Sequence, residues 1–174
     1  MIETRSLAAE LRVSGGRTLF GHAAVWDRPT RIGAFSEVVR RGAFSEHLAS
    51  GADVFLLAHH DFTQPLARTG NHSLQLREDG IGLAFEAALP ETRAADDILA
   101  LARTNTIAGA SIGFRVPAGG DVWVSRDRRE LRQLELIEVS AVTVPAYPET
   151  TVSARSANAD PDAAARLRWR LAAL

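Results

Sequence analysis

The chain has 174 residues, 46% of them hydrophobic and 24% charged, with a net charge of −1. All 20 positions counted as Lys or Arg are arginine, and cysteine is absent. This composition excludes Schiff-base and pyridoxal chemistry, lysine-dependent phosphate loops, Ser-Lys dyads, thiol nucleophiles, iron–sulfur clusters, disulfides and cysteine zinc sites. Any chemistry must come from Ser, Thr, Tyr, His, Asp, Glu, Arg or a metal, so the five histidines come first. The length fits one domain, and the near-neutral charge gives no pull toward nucleic acid or an anionic membrane. No apolar run approaches the ~20 residues of a membrane span, and the N-terminus lacks the basic flank and apolar core of a signal peptide. The missing cysteine agrees with a cytoplasmic location.

Residues 6–13 and 18–26 read as two strands joined across Ser14, Gly15 and Gly16, since glycine supplies the positive φ of a tight turn. Residues 27–42, broken by Pro29 and Gly33, read as a loop, and residues 43–48 as a short helix ended by Gly51. The apolar run 53–58 suits a buried strand that delivers His59, His60 and Asp61 to its end. Leu74 and Leu76, a turn at Asp79-Gly80, then Ile81, Leu83, Phe85, Ala87 and Leu89 at every second position predict a hairpin with one buried face. Thr92 is the expected N-cap of a helix whose Ala95, Ile98, Leu99 and Ala102 recur at helical spacing. Strands follow at 110–116 and 122–125, and residues 129–144 form one bent strand or two. The pattern predicts a mainly β (α+β) fold, a small antiparallel barrel of about seven strands flanked by a few helices. The domain is expected to span residues 1–152, with 153–174 a poorly anchored tail.

Three features interrupt their own strands. Strict alternation puts Glu138 and Ser140 on the face of Leu134, Leu136, Val142 and Val144, so Glu138 needs a partner. That partner is an arginine such as Arg115 or Arg132 if the carboxylate is structural, or a histidine if it completes a nucleophilic triad. Ser111 lies opposite the apolar face of Ala110, Ile112, Phe114 and Val116, among small neighbours that leave its hydroxyl accessible. His59 and His60 point to opposite sides if the chain is extended, so one of them faces the chemistry. A metal site using Asp61 and His72 is the weaker reading, because the spacing matches no usual ligand motif.

These residues resemble a family, the prohead proteases of tailed bacteriophages and related gene transfer agents, whose fold is similar to herpesvirus assemblin. The resemblance rests on five elements in order: residues 21–27 (GHAAVWD), Arg41-Gly42-Ala43-Phe44, His60-Asp61, Ser111-Ile112-Gly113-Phe114, and residues 135–140 (ELIEVS) followed by Val144-Pro145-Ala146. It implies a serine endopeptidase with His60 as general base, Ser111 as nucleophile and Glu138 as third member. His59 is the alternative base and Arg115 a candidate oxyanion contact. The family commonly has Asn where this chain has His59, and Gly where it has Ala67. No cofactor or metal is implied. The implied substrates are the scaffold or N-terminal delta segment of the major capsid protein and the chain itself, cleaved inside the procapsid in the bacterial cytoplasm. Homo-oligomer formation is left open, and neither nucleic acid nor membrane is an expected partner. The alternative is a catalytically inactive capsid-associated or scaffolding module that keeps the fold.

Overall fold

Alternating side chains dominate the sequence, and the structure turns them into sheets. The computed structural model describes residues 1–7, 11–14 and 16–143. The anticipated tail and its boundary at residue 152 lie outside the described residues. The strands are β1 Glu3–Leu7, β2 Arg12–Ser14, β3 Thr18–Val25, β4 Thr30–Ile32, β5 Phe35–Val39, β6 Phe55–Ala58 and β7 Asp61–Arg68. They continue with β8 Leu74–Glu78, β9 Gly82–Ala88, β10 Gly109–Arg115, β11 Asp121–Ser125, β12 Arg128–Leu131 and β13 Glu135–Val142. Two α-helices, α1 Ser45–Ala49 and α2 Arg93–Arg103, complete the described elements with a 3₁₀ turn at Thr69–Asn71. Among these residues no helix is long and apolar enough to cross a membrane.

The mainly β class is as expected, but the closed antiparallel barrel of about seven strands is not what forms. The strands make three sheets, ordered β1-β10-β13-β6-β7, β2-β3-β9-β8 and β11-β12-β5-β4. Two pairings, β13 with β6 and β12 with β5, are parallel. Alternation along single strands carries no information about which strands pair, or in which direction. One core joins the sheets, with Leu19 and Ala23 of β3, Leu83 and Phe85 of β9, Leu56 of β6, Ile112 and Phe114 of β10 and Leu131 of β12 all in it.

The α2 helix starts as read: the Thr92 hydroxyl accepts the Ala95 amide at 3.4 Å, and Ala95, Ile98, Leu99 and Ala102 are buried. Burying Ile98 and Leu99 stabilises the fold by about 1.5–3 kcal/mol each. Residues 27–42 are not a plain loop, because Gly33, at φ 58°, turns β4 back onto β5. Mid-strand Glu37 is only 3% exposed. It is satisfied by Arg5, whose Nε and Nη2 donate to its two oxygens at 2.6 and 3.1 Å, and by Arg129 at 3.0 Å. Arg129 also meets Glu3 and Asp121, so one guanidinium joins three acidic side chains.

The β8–β9 turn forms around Asp79, whose carboxylate accepts the Ile81 and Gly82 amides at 2.8 and 3.0 Å and pairs with His22 Nε2 at 2.9 Å. Ile81 therefore lies in the turn, 58% exposed, and not on the buried face. Gly82 is required for packing, since a Cβ there would fall 1.8 Å from the Ala24 carbonyl oxygen.

In β13, Gly113 of β10 faces Glu138 while the next residue, Phe114, faces Leu136, so Ile137 is an extra, bulged residue. It switches the faces of the strand. Leu134 and Leu136 lie in the core before it and Val139 and Ala141 after it. Glu138 and Ser140 thus leave the face of Leu134 and Leu136, correcting the simple alternation, which counts every residue as paired.

Because Ile137 is the unpaired residue, Ile137→Ala and deletion of Ile137 should both leave Leu136 in the core and Glu138 on the opposite face and should still unfold cooperatively in a circular-dichroism melt, whereas deleting Val139 should turn Ser140 toward the core and abolish that transition. The Gly82 and Ile81 amides hold the Asp79 carboxyl at about 2, below its ordinary 3.8. A depressed acid contributes stability above its unfolded value, here lost as pH falls from about 4 through about 2. Asp79→Asn should therefore flatten the acid limb of stability against pH, measured by urea unfolding across that range.

Candidate active site

The site begins at the β6–β7 turn. Ala58 pairs with Asp61, and the two residues between them, His59 and His60, have φ of 53° and 64°. Positive φ at both centre positions is the pattern of a type I′ hairpin, whose twist matches the flanking strands. Histidine and asparagine are among the side chains that tolerate this region, so the family's Asn and this chain's His59 suit the same backbone. In such a turn adjacent side chains do not alternate between two faces as they do in an extended strand. His59 nevertheless ends up exposed and His60 partly buried. Asp61 folds onto its own loop, accepting the Thr63 hydroxyl and backbone amide at 2.6 and 2.8 Å and the Gln64 side-chain Nε2 at 2.9 Å. These donors, Thr63 first, hold its carboxyl below the usual range.

Cross-strand register supplies the rest. Ser111 faces Ser140 and Gly113 faces Glu138, while Ile112 faces Val139 and Ala110 faces Ala141. Opposite residues share a face, so Ser111, Gly113, Glu138 and Ser140 lie on one side of the sheet and the four apolar residues on the core side. Ser6 of β1 extends the row beyond Ser111, and Leu57 of β6 extends it beyond Ser140.

Glu138 is 2% exposed and both its oxygens are engaged. His60 Nδ1 donates to Oε1 at 2.7 Å, and the Ser140 hydroxyl donates to Oε2 at 2.5 Å. Ser140 Oγ in turn accepts the His60 backbone amide at 3.1 Å. Of the two partners left open for Glu138, the histidine is the one observed. Arg132 is bound to Glu130 instead, at 2.9 Å. Gly113 makes room, since a Cβ there would sit 2.4 Å from Glu138 Oε1. With Nδ1 donating to a carboxylate, the imidazole presents Nε2 as its acceptor.

Ser111 is fully buried, and its hydroxyl accepts a hydrogen bond from Ser6 Oγ at 3.0 Å. The accessibility expected from its small neighbours on β10 fails because β1 lies alongside. Arg115 is exposed at the far end of β10, opposite Glu135 and four residues beyond Ser111. The strand rise separates these two by about 13 Å, so the structure does not bring them together. Ala67, where the family has Gly, lies in β7 opposite Leu56, with no positive φ to require glycine. Among the described residues no group of three or more His, Asp or Glu side chains is placed to hold a metal ion. Ser6, which bonds Ser111, carries no local signal in the sequence, and Ser140, which bonds both Glu138 and the His60 amide, shows there only as a polar interruption.

The profile of the caudovirus prohead serine protease family matches residues 3–163. No curated protein sequence gives a significant match. Among solved structures, the bacteriophage T4 capsid assembly protease, gp21, is similar with a TM-score of 0.55 at 13% identity, covering 83% of this chain and 97% of that one. At that identity the likeness shows a shared fold. The family match spans most of the chain and includes each of the strands β1, β6, β10 and β13 that build the site. The chain belongs to the caudovirus prohead serine protease family.

Proposed function

We propose that this protein is a capsid-maturation endopeptidase that cleaves the scaffold or delta segment of the major capsid protein, and its own C-terminal segment, inside the procapsid. The neighbouring fold of a capsid assembly protease supports the setting. The observation that carries the chemistry is the 2.7 Å contact of His60 Nδ1 with Glu138, on the sheet face shared with Ser111.

In this reading His60 Nε2 takes the Ser111 proton as Oγ bonds to the scissile carbonyl carbon. The imidazolium so formed is stabilised by Glu138 and gives its proton to the departing amide nitrogen as the C–N bond breaks. Water then repeats the sequence on the acyl-enzyme: His60 takes its proton, the hydroxyl attacks the ester carbonyl, and Ser111 recovers its hydrogen. Glu138 holds the tautomer that leaves Nε2 free. Ser140 lies directly across from Ser111, with Cβ atoms about 5 Å apart, and touches the His60 backbone, so base and nucleophile flank the same residue. For a substrate carbonyl to reach Ser111, the edge strand β1 must open at Ser6.

Co-expression with the cognate capsid protein tests the assignment. Wild type should shorten the capsid protein and itself on a denaturing gel, and Ser111→Ala should leave both intact; processing by Ser111→Ala sinks the nucleophile assignment. Glu138→Gln should keep the fold but lose about 10³–10⁴-fold in turnover, as when a base-orienting carboxylate is neutralised. A rate equal to wild type would leave Glu138 a structural role only.

A further inference from the structure

Ser140 is the one member of the hydrogen-bonded group that the triad chemistry does not use. It is fully buried, and a buried hydroxyl requires partners. A backbone carbonyl would serve if satisfaction were its only need. Instead its proton goes to Glu138 Oε2 and its oxygen takes the His60 amide, so both its hydrogen bonds end on the pair that orients the base.

Each bond removes a different freedom. The terminal torsion of a glutamate is broad and roughly two-fold, so His60 alone leaves the plane of the carboxylate loosely set. A donor on each oxygen pins that plane, and Oε1 then points at Nδ1. The backbone bond fixes the left-handed residue of the turn relative to β13, and with it the direction in which the imidazole leaves the chain. The three residues close a ring of contacts: Ser140 to Glu138, Glu138 to the His60 side chain, and the His60 backbone to Ser140.

We propose that Ser140 is a positioning residue of the catalytic machinery, one hydroxyl that locks the Glu138 carboxylate and the His60 turn in register; the inference rests on the triad reading above. It makes no contact with substrate and exchanges no proton with it. Its contribution is to the fraction of time that Nε2 is correctly aimed, which affects the chemical step and leaves substrate binding largely untouched.

The test uses the full-length chain as Ser140→Ala, Ser140→Thr and Ser111→Ala, with a fluorophosphonate as the serine-directed probe. Ser140→Ala should fold, as judged by thermal melting, and lose about 10- to 100-fold in the maximal labelling rate, with little change in probe half-saturation, the span carried by one hydrogen bond to a charged group. The low-field Nδ1–H proton resonance of His60 should broaden or vanish in Ser140→Ala. Ser140→Thr, which keeps the hydroxyl, should recover both the rate and the resonance. Wild-type labelling with an intact resonance in Ser140→Ala overturns the proposal, and so does loss of the fold, which would make the hydroxyl structural. Labelling of Ser111→Ala at the wild-type rate overturns the triad reading itself.

Discussion

The bulge in β13 is what allows a carboxylate to exist in this site. Were Ile137 paired in the ladder, Glu138 would share the face of Leu134 and Leu136 and lie among apolar side chains, where an unpaired charge is costly. With the bulge, the strand is apolar toward the core on both sides of Ile137, and Glu138 and Ser140 turn toward Ser111 and Gly113. Glycine at 113 is the matching adjustment on the neighbouring strand, since any side chain there would occupy the space of Glu138 Oε1. The bulge sets the face, the glycine clears it, and the β6–β7 turn supplies the imidazole.

The five-stranded sheet brings these pieces together from distant parts of the chain, with His60 and Glu138 78 positions apart in sequence. The parallel pairing of β6 with β13 matters here. It places Ala58, the last residue of β6, beside Ala141, and the His59 amide donates to the Ala141 carbonyl at 3.1 Å. The turn that follows therefore opens over Ser140 and Glu138. An antiparallel pairing would carry the end of β6 toward the start of β13 and deliver the histidines to the opposite end of the strand.

What the sequence shows and conceals follows from the range of the interactions. Ser111 and Glu138 are visible because each interrupts a periodic strand, and α2 because its cap and buried face are local. The face of Glu138 is hidden, since a bulge exists only in the comparison of two strands. The β5 strand is hidden because Glu37 breaks its apolar run, and the arginines that satisfy it lie 32 and 92 positions away. The β7 strand contains Pro65, which argues against a central strand but is tolerated here because β7 is the sheet edge. The turn at His59 and His60 carries no glycine to announce its positive φ.

The absence of lysine, which excludes much chemistry, also acquires a structural side at β1. Alternate residues of that strand do different work: Ser6 faces Ser111, while Glu3 and Arg5 join the ion network with Arg129 and Glu37. Arg129 donates to Glu37, Glu3 and Asp121 from Nη1, Nη2 and Nε, a planar spread that a single ammonium cannot reproduce. Burial works to raise the Glu3 carboxyl, but Arg129 and Arg5 outweigh it and hold it below the ordinary carboxylate range. The strand covering Ser111 is thereby fastened by charge on one face and meets Ser111 through Ser6 on the other. Movement of Ser6 away from Ser111 is a local matter if Glu3 and Arg5 stay bound, and disrupts a half-buried charge cluster if the whole strand leaves. The first route keeps both partners of Glu37 in place, and the second removes Arg5 and leaves Arg129 alone against a carboxylate that is 3% exposed, so local opening is the less costly way to expose the serine.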